Sequence, residues 1–198
     1  MWFDEAVVYQ IYPLGLCDAL DKKDSDHRIL RILDWVDHIK KTGATCVLFN
    51  PLMESDYHGY DTRDYLIPDH RLGTEKDLQK VCKAIHDAGL KIMFDGVFNH
   101  VGRGFWTFRD VQEKKWDSPY CGWFHINFDG NTNYNDGFWY EGWEGHHELV
   151  KLNLMKLIHE KYGIVEGDFL SAELVMVPAL PVRDIGFDRS MIGAYGHD

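Results

Sequence analysis

Short apolar runs and longer amphipathic stretches alternate along the first hundred residues. "AVVYQIYP" (6–13) is β-branched and aromatic and stops at a proline, the pattern of a short strand. After the polar connection "GLCDALDKKDSDH", Ile29, Ile32, Leu33, Val36 and Ile39 recur at helical spacing, and "KKTG" closes that element with cations and a glycine. "ATCVLFNP" (44–51) predicts a second strand. A long loop, "LMESDYHGYDTRDYLIPDHRLG", leads to Thr74, which can cap a helix together with Asp77 three residues on. Leu78, Val81, Cys82, Ile85 and Ala88 give that helix one apolar stripe, Gly89 ends it, and "LKIMFDGVFN" reads as a third strand.

Strand, helix, strand, helix, strand with short turns predicts parallel βα units, an α/β fold with its chemistry at the carboxyl ends of the strands. Asn50, the 54–65 loop and the stretch Asp95–His100 fall there. Residues 101–147 have no sustained period and are dense in Trp, Phe, Tyr, Gly, Asn and Asp. They are expected to form an ordered excursion after the third strand, with Trp106, Trp116, Trp123, Trp139 and Trp143 as its small core. "ELVKLNLMKLIHEKYG" then shows helical spacing through Leu154, Leu157, Ile158 and Tyr162, and "DFLSAELVMVP" reads as a fourth strand. The expected organisation is a partial barrel over 1–100, an aromatic and glycine-rich subdomain over 101–147, and a helix plus strand-like tail over 148–198.

At 198 residues with 45% hydrophobic positions, the chain is long enough for a well-buried core. Its net charge of −11 repels nucleic acid and anionic membrane surfaces, so neither is an expected partner. No apolar stretch approaches the ~20 residues of a membrane span. "MWFDEAVVYQ" lacks the basic-then-apolar pattern of a secretion signal. Cys17, Cys46, Cys82 and Cys121 are widely spaced, which suits reduced thiols in a cytoplasmic protein better than a zinc knuckle or a disulfide framework.

"VVYQIYP", "HGYDTRDY", "LGTEKDLQKVCKAIHDAGLKIMFDGVFNHVG" and "FDGNTNYNDGFWYEGWEGHHELVKLN" together resemble the alpha-amylase family of glycoside hydrolases, nearest to its neopullulanase and cyclomaltodextrinase-like members. The resemblance runs from about Trp2 to Asn153. It implies a partial TIM barrel of three to four βα units, with a small domain inserted after the third strand. It also implies substrate-binding roles. Tyr60 of "HGYD" would stack on the sugar, with Asp61 beside it as a further substrate-binding residue; His100 would hydrogen-bond sugar hydroxyls; Asn99 would support the site. In calcium-dependent members Asn99 would touch the ion. Asp95 would brace an arginine on the following strand. "LVKLN" stands where the family usually reads more like "LPDLN", so Lys151 is a departure that counts against calcium.

The family's carboxylate nucleophile and acid belong to motifs of the "GFRLDA" and "GE" type, and the sequence contains neither. No catalytic residue is therefore assigned, no cofactor is expected beyond a possible calcium ion, and no metal ligand is named. From about residue 161, "KYGIVEGDFLSAELVMVPALPVRDIGFDRSMIGAYGHD" is similar instead to zinc aminopeptidases of the aspartyl-aminopeptidase type. His197 and Asp198 alone make a poor metal site. The expectation is thus a chimera, natural or engineered: a truncated amylase-type domain that binds α-glucan oligosaccharide weakly and is inactive alone. The alternatives are a structural assembly without sugar binding, or a weak glycosidase in which Asp95, Glu141 and Glu144 substitute as acids within an oligomer. An incomplete barrel leaves open sheet edges, so a homo-oligomer, most simply a dimer, is expected.

Overall fold

The computed structural model describes residues 2–154 and residue 156. The "DFLSAELVMVP" stretch, nearly all of the predicted helix over 154–162, and the peptidase-like residues 161–198 lie outside the described residues. The described residues divide into two compact units, the first running up to Gly59 and resuming over Asp64–Gly96, the second made of Tyr60–Arg63 with the described residues from Val97 on.

The first unit is built on a parallel sheet of β1 (Val8–Ile11), β2 (Cys46–Phe49) and β5 (Lys91–Phe94), in the order β1-β2-β5. Registers are Val8 with Cys46 and Cys46 with Lys91, so the three strands end level. β2 is apolar throughout because it is central and covered, as parallel strands are. A short helix, α1 (Pro13–Leu16), follows β1 and opens on a proline, where a missing N–H costs nothing.

Helical turns cover the sheet. The first crossover differs from an ideal α-helix: Arg28–Trp35 is a 3-10 helix, and only Val36–Lys41 is α2. Three residues per turn bring Ile29 and Ile32 to one side, both buried, while Leu33 is left exposed. The second crossover is α3 (Glu75–Asp87), begun by a complete capping box between Thr74 and Asp77. Leu78, Val81, Cys82 and Ile85 from α3 join Ile29, Ile32, Val36, Ile39, Val47, Phe49 and Ile92 in one core.

The 52–73 segment, expected as a loop, contains a two-stranded sheet of β3 (Met53–Ser55) and β4 (Thr62–Pro68). A buried polar knot fixes its base. Arg71 grips Asp69 with Nε and Nη2 at 2.8 and 2.6 Å, and also donates to Ser55 Oγ, Tyr57 O and Leu20 O. Fully desolvated, that pair is tolerable only because nearly every donor is used. At the tip Gly59 has φ +93, and a side chain there would press on the Pro51 carbonyl.

The second unit contains an antiparallel sheet in the order β6-β10-β9: β6 (His100–Gly102), β10 (His146–Lys151) and β9 (Gly142–Trp143). β7 (Ile126–Asn127) and β8 (Trp139–Tyr140) pair beside it, and α4 (Trp106–Lys114) packs against them. Two expectations are corrected here. Residues 146–151 form a strand rather than the start of a helix, because Val150 and Leu149 are drawn into pairing with Val101 and Gly102. The tryptophans are not the core: Trp106, Trp116, Trp139 and Trp143 are exposed, Trp116 at 72%. Phe108, Phe138 and Tyr140 are fully buried, with Phe105 and Phe124 nearly so. Phe108 sits edge-on to Phe124 and Tyr140 with ring centres 5.2 and 4.8 Å apart. Arg103 closes this core, bidentate to Asp136 and 3.8 Å above the Tyr134 ring.

Candidate functional site

Tyr60, Asp61, Asn99 and His100 all belong to the second unit, although forty residues separate the two pairs. His100 opens β6 and is buried. Its Nε2 lies 3.1 Å from the Tyr60 carbonyl oxygen, and its Nδ1 lies 3.2 Å from Asn99 Nδ2. A carbonyl only accepts, so Nε2 carries the proton; Nδ1 is then a lone pair that receives the Asn99 amide. The Tyr60 carbonyl and the Asn99 amide thus fix the ring from both sides. The imidazole also packs against the Trp143 indole, centres 5.6 Å apart at 34°. Asp61 and Thr62 are buried beside the half-buried Tyr60, and Asn99 is exposed.

Backbone pairing holds this arrangement. The Leu152 amide donates to Asn99 O at 3.0 Å, and Lys151 stands opposite His100 across the β6–β10 pair. Lys151 Nζ is 2.6 Å from Glu141 Oε1, and the other Glu141 oxygen is 4.0 Å from His125 Nε2. Glu141 is therefore an ion-pair partner. Glu144 lies in the exposed β9–β10 turn at φ 49. On the far side of that turn Glu148 is held below the usual carboxylate range, by backbone hydrogen bonding first and by the His146 ring 3.1 Å away.

The first unit presents its own strand-end groups. Asn50 follows β2, is buried, and accepts from Gln10 Nε2 at 2.9 Å. Asp95 follows β5, and its amide donates to Phe49 O. Among the described residues, the group of His, Cys, Asp and Glu donors close enough to share an ion is Glu54, Asp69 and His70. Those atoms are already engaged: Asp69 by Arg71 and Ser55, and Glu54 by the His70 backbone and ring.

The motifs pointed to Tyr60, Asp61, Asn99 and His100, and the structure brings these together. Trp143, Glu141 and Lys151 had no assigned part in this grouping. Only the pairing of strands fifty residues apart reveals them, and no local pattern encodes that. The set offers an aromatic face, an imidazole, amides and carboxylates around a strand end, which suits the C–H faces and hydroxyls of a sugar.

The sequence profile described as "Alpha amylase, catalytic domain" matches residues 10–161. A cyclomaltodextrinase of Bacillus sp. is 32% identical over 143 residues, covering 63% of this chain and 26% of that protein. Among solved structures, the cyclic alpha-maltosyl-(1→6)-maltose hydrolase of Arthrobacter globiformis, in complex with its cyclic sugar, superposes with a TM-score of 0.66 at 32% identity. That match covers 77% of this chain and 38% of that one. These neighbours carry the TIM-barrel-type fold, of which this chain shows a part, with small and unclosed sheets. A separate short match, 57% identical over 51 residues, is to a Thermotoga neapolitana protein named as an aminopeptidase; it covers 26% of this chain and 11% of that protein. The chain spans about a quarter of the length of the curated glycosidase relatives it matches.

Proposed function

The chain belongs to the alpha-amylase family, and from that premise we propose that it is a truncated family domain that binds α-glucan oligosaccharides through Tyr60, Asp61, Asn99 and His100 without cleaving them alone. The observation that carries this reading is the buried His100, held between Tyr60 and Asn99. A sugar hydroxyl can replace the Asn99 amide at Nδ1 while the Tyr60 carbonyl keeps the ring in place. The names of the relatives favour maltooligosaccharides and cyclodextrins as the ligand class.

Cleavage would need a nucleophile and an acid about 5–5.5 Å apart in a retaining enzyme. The motifs that supply them are not in these 198 residues. Glu141, one substitute, is tied to Lys151. Titration of maltoheptaose and of β-cyclodextrin by calorimetry should give weak saturable binding, lost in Tyr60→Ala. No binding at millimolar sugar rejects the reading. Release of reducing sugar from cyclodextrin, abolished by Asp95→Asn, would replace it with a working glycosidase.

The second unit is, on this proposal, the domain inserted after the third barrel strand, and the residues after Asn153 are a fusion to a peptidase-derived segment, as the aminopeptidase match favours. If the sugar titration fails, a structural assembly of unrelated fragments remains. The setting is cytoplasmic on this proposal; buried, unpaired Cys17, Cys46 and Cys82 suit a reducing compartment. Among the described residues no helix is long and apolar enough to cross a membrane. A homodimer is also part of the proposal. Val7 and Val8 at the β1 edge are exposed, and an apolar edge of that kind recruits a further strand. Light scattering that gives a monomer at micromolar concentration would remove the dimer.

A further inference from the structure

In calcium-dependent members of the family, the position of Asn99 contributes to an ion site, and an aspartate usually stands where this chain has Lys151. The fold puts these two places side by side. Leu152 N bonds Asn99 O at 3.0 Å, and Lys151 pairs with His100 across the strands. A calcium ion takes six to eight oxygen ligands. An ammonium offers three donors and no lone pair, so Lys151 adds a positive charge and removes a ligand. Glu141, whose carboxylate meets that ammonium, is committed to it at 2.6 Å.

The commitment is built into the main chain. Lys151 N donates to Glu141 O at 2.9 Å, and Glu141 N donates to His125 O at 3.0 Å. Glu141 lies between β8 and β9 and Lys151 ends β10, and the Lys151–Glu141 main-chain bond already holds them side by side, so their pairing costs little additional ordering. The remaining Glu141 oxygen faces His125. Among the described residues, the donor set beside Asn99 does not fit calcium.

We infer that the Lys151–Glu141 ion pair stands in the place of a divalent cation at the strand pair that carries His100, and that this unit folds and holds its histidine independently of calcium. The charge that an ion would bring between strands comes here from a side chain of the protein itself. Its position is fixed at synthesis and does not depend on ion supply.

Thermal unfolding of the full chain tests this directly. A specific ion at about 100 times its dissociation constant would raise Tm by roughly 5–10 °C for a protein of this size. The expected result is the same Tm in EDTA and in excess calcium chloride. A rise of that order in the wild-type protein overturns the inference. Lys151→Met and Glu141→Gln should each lower Tm by about 1–4 °C, because the pair is a third exposed and modest in strength. The double variant should fall no further than the larger single effect. Fully additive losses would show that the two side chains act separately and would also overturn the inference. Glu141→Gln keeps the test open if Lys151→Met fails to fold, and the calcium arm needs no variant.

Discussion

Replacing Asp77 by alanine removes a carboxylate, one oxygen of which organises two parts of the first unit. Asp77 is buried, and its Oδ2 accepts from the Thr74 amide at 3.0 Å, the Thr74 hydroxyl at 2.6 Å and His27 Nδ1 at 2.6 Å. The first two make the capping box of α3, and the third ties the 18–27 connection to the same turn. Burial alone would raise this carboxyl's pKa, but the hydrogen bonds from Thr74 and His27 outweigh it and hold the group well below the usual carboxylate range. A lost cap costs about 0.5–2 kcal/mol and a hydrogen bond to a charged group about 1.5–3 kcal/mol. Because the three bonds share one oxygen they do not add, and a total of about 2–4 kcal/mol is expected in urea denaturation at pH 7.

The sign with pH follows from the depressed folded value. The stabilisation is present above the unfolded pKa, near 3.8, and is lost as pH falls toward the folded one. At pH 3 the unfolded carboxylate is mostly protonated while the folded one is not, which removes about 1 kcal/mol of the difference. Other acidic groups titrate in both proteins and cancel. The gap between wild type and Asp77→Ala should therefore narrow by that amount from pH 7 to pH 3. A gap independent of pH would refute the role of the ionised carboxylate.

In the second unit, Phe108→Ala should cost about 3–5 kcal/mol, read from the urea midpoint, since three buried rings close on it. Trp116→Ala should stay within about 0.5 kcal/mol; the reverse order would restore the tryptophans as the core. Burial pushes the Cys17 and Cys82 thiols up to about 11 and raises Cys46 as well. Ellman's reagent at neutral to mildly alkaline pH should therefore reach the half-exposed Cys121 first and the other three only after denaturant; rapid reaction of all four in the native protein contradicts this burial. Trp143→Ala removes the ring packed on His100 and should weaken maltooligosaccharide binding by about 0.5–1.5 kcal/mol; unchanged binding would limit the indole to an exposed surface role.

Local patterns in the sequence were enough for the parallel strands and for α3 with its cap. Val8–Ile11, Cys46–Phe49 and Lys91–Phe94 are short apolar runs between breakers, and Thr74 and Asp77 announce a helix start in four residues. What escaped depends on partners distant in sequence. "MES" and "TRDYLIP" alternate poorly because one end of their hairpin is fixed by Arg71 and Asp69 rather than by an apolar face. "HHELVK" resembles the start of the helical stretch that follows it, and only its pairing with β6 and β9 makes it a strand. The tryptophans share the aromatic character of that segment, yet the phenylalanines, with no polar edge to satisfy, took the interior. The four site residues came from motif order, whereas the Lys151–Glu141 pair beside them is visible only once β10 is in register.

The pairing of His100 with Lys151 also sets an order of events during synthesis. His100 leaves the ribosome 51 residues (151 − 100) ahead of the residue that stands opposite it. At roughly 5–20 residues per second, that leaves about 3–10 s in which β6 has no β10 to pair with. The βα units of the first unit, whose strands and helices meet over shorter separations, can assemble in that interval. The histidine that marks the sugar site is thus among the first of its unit to be made and among the last to be fixed in place.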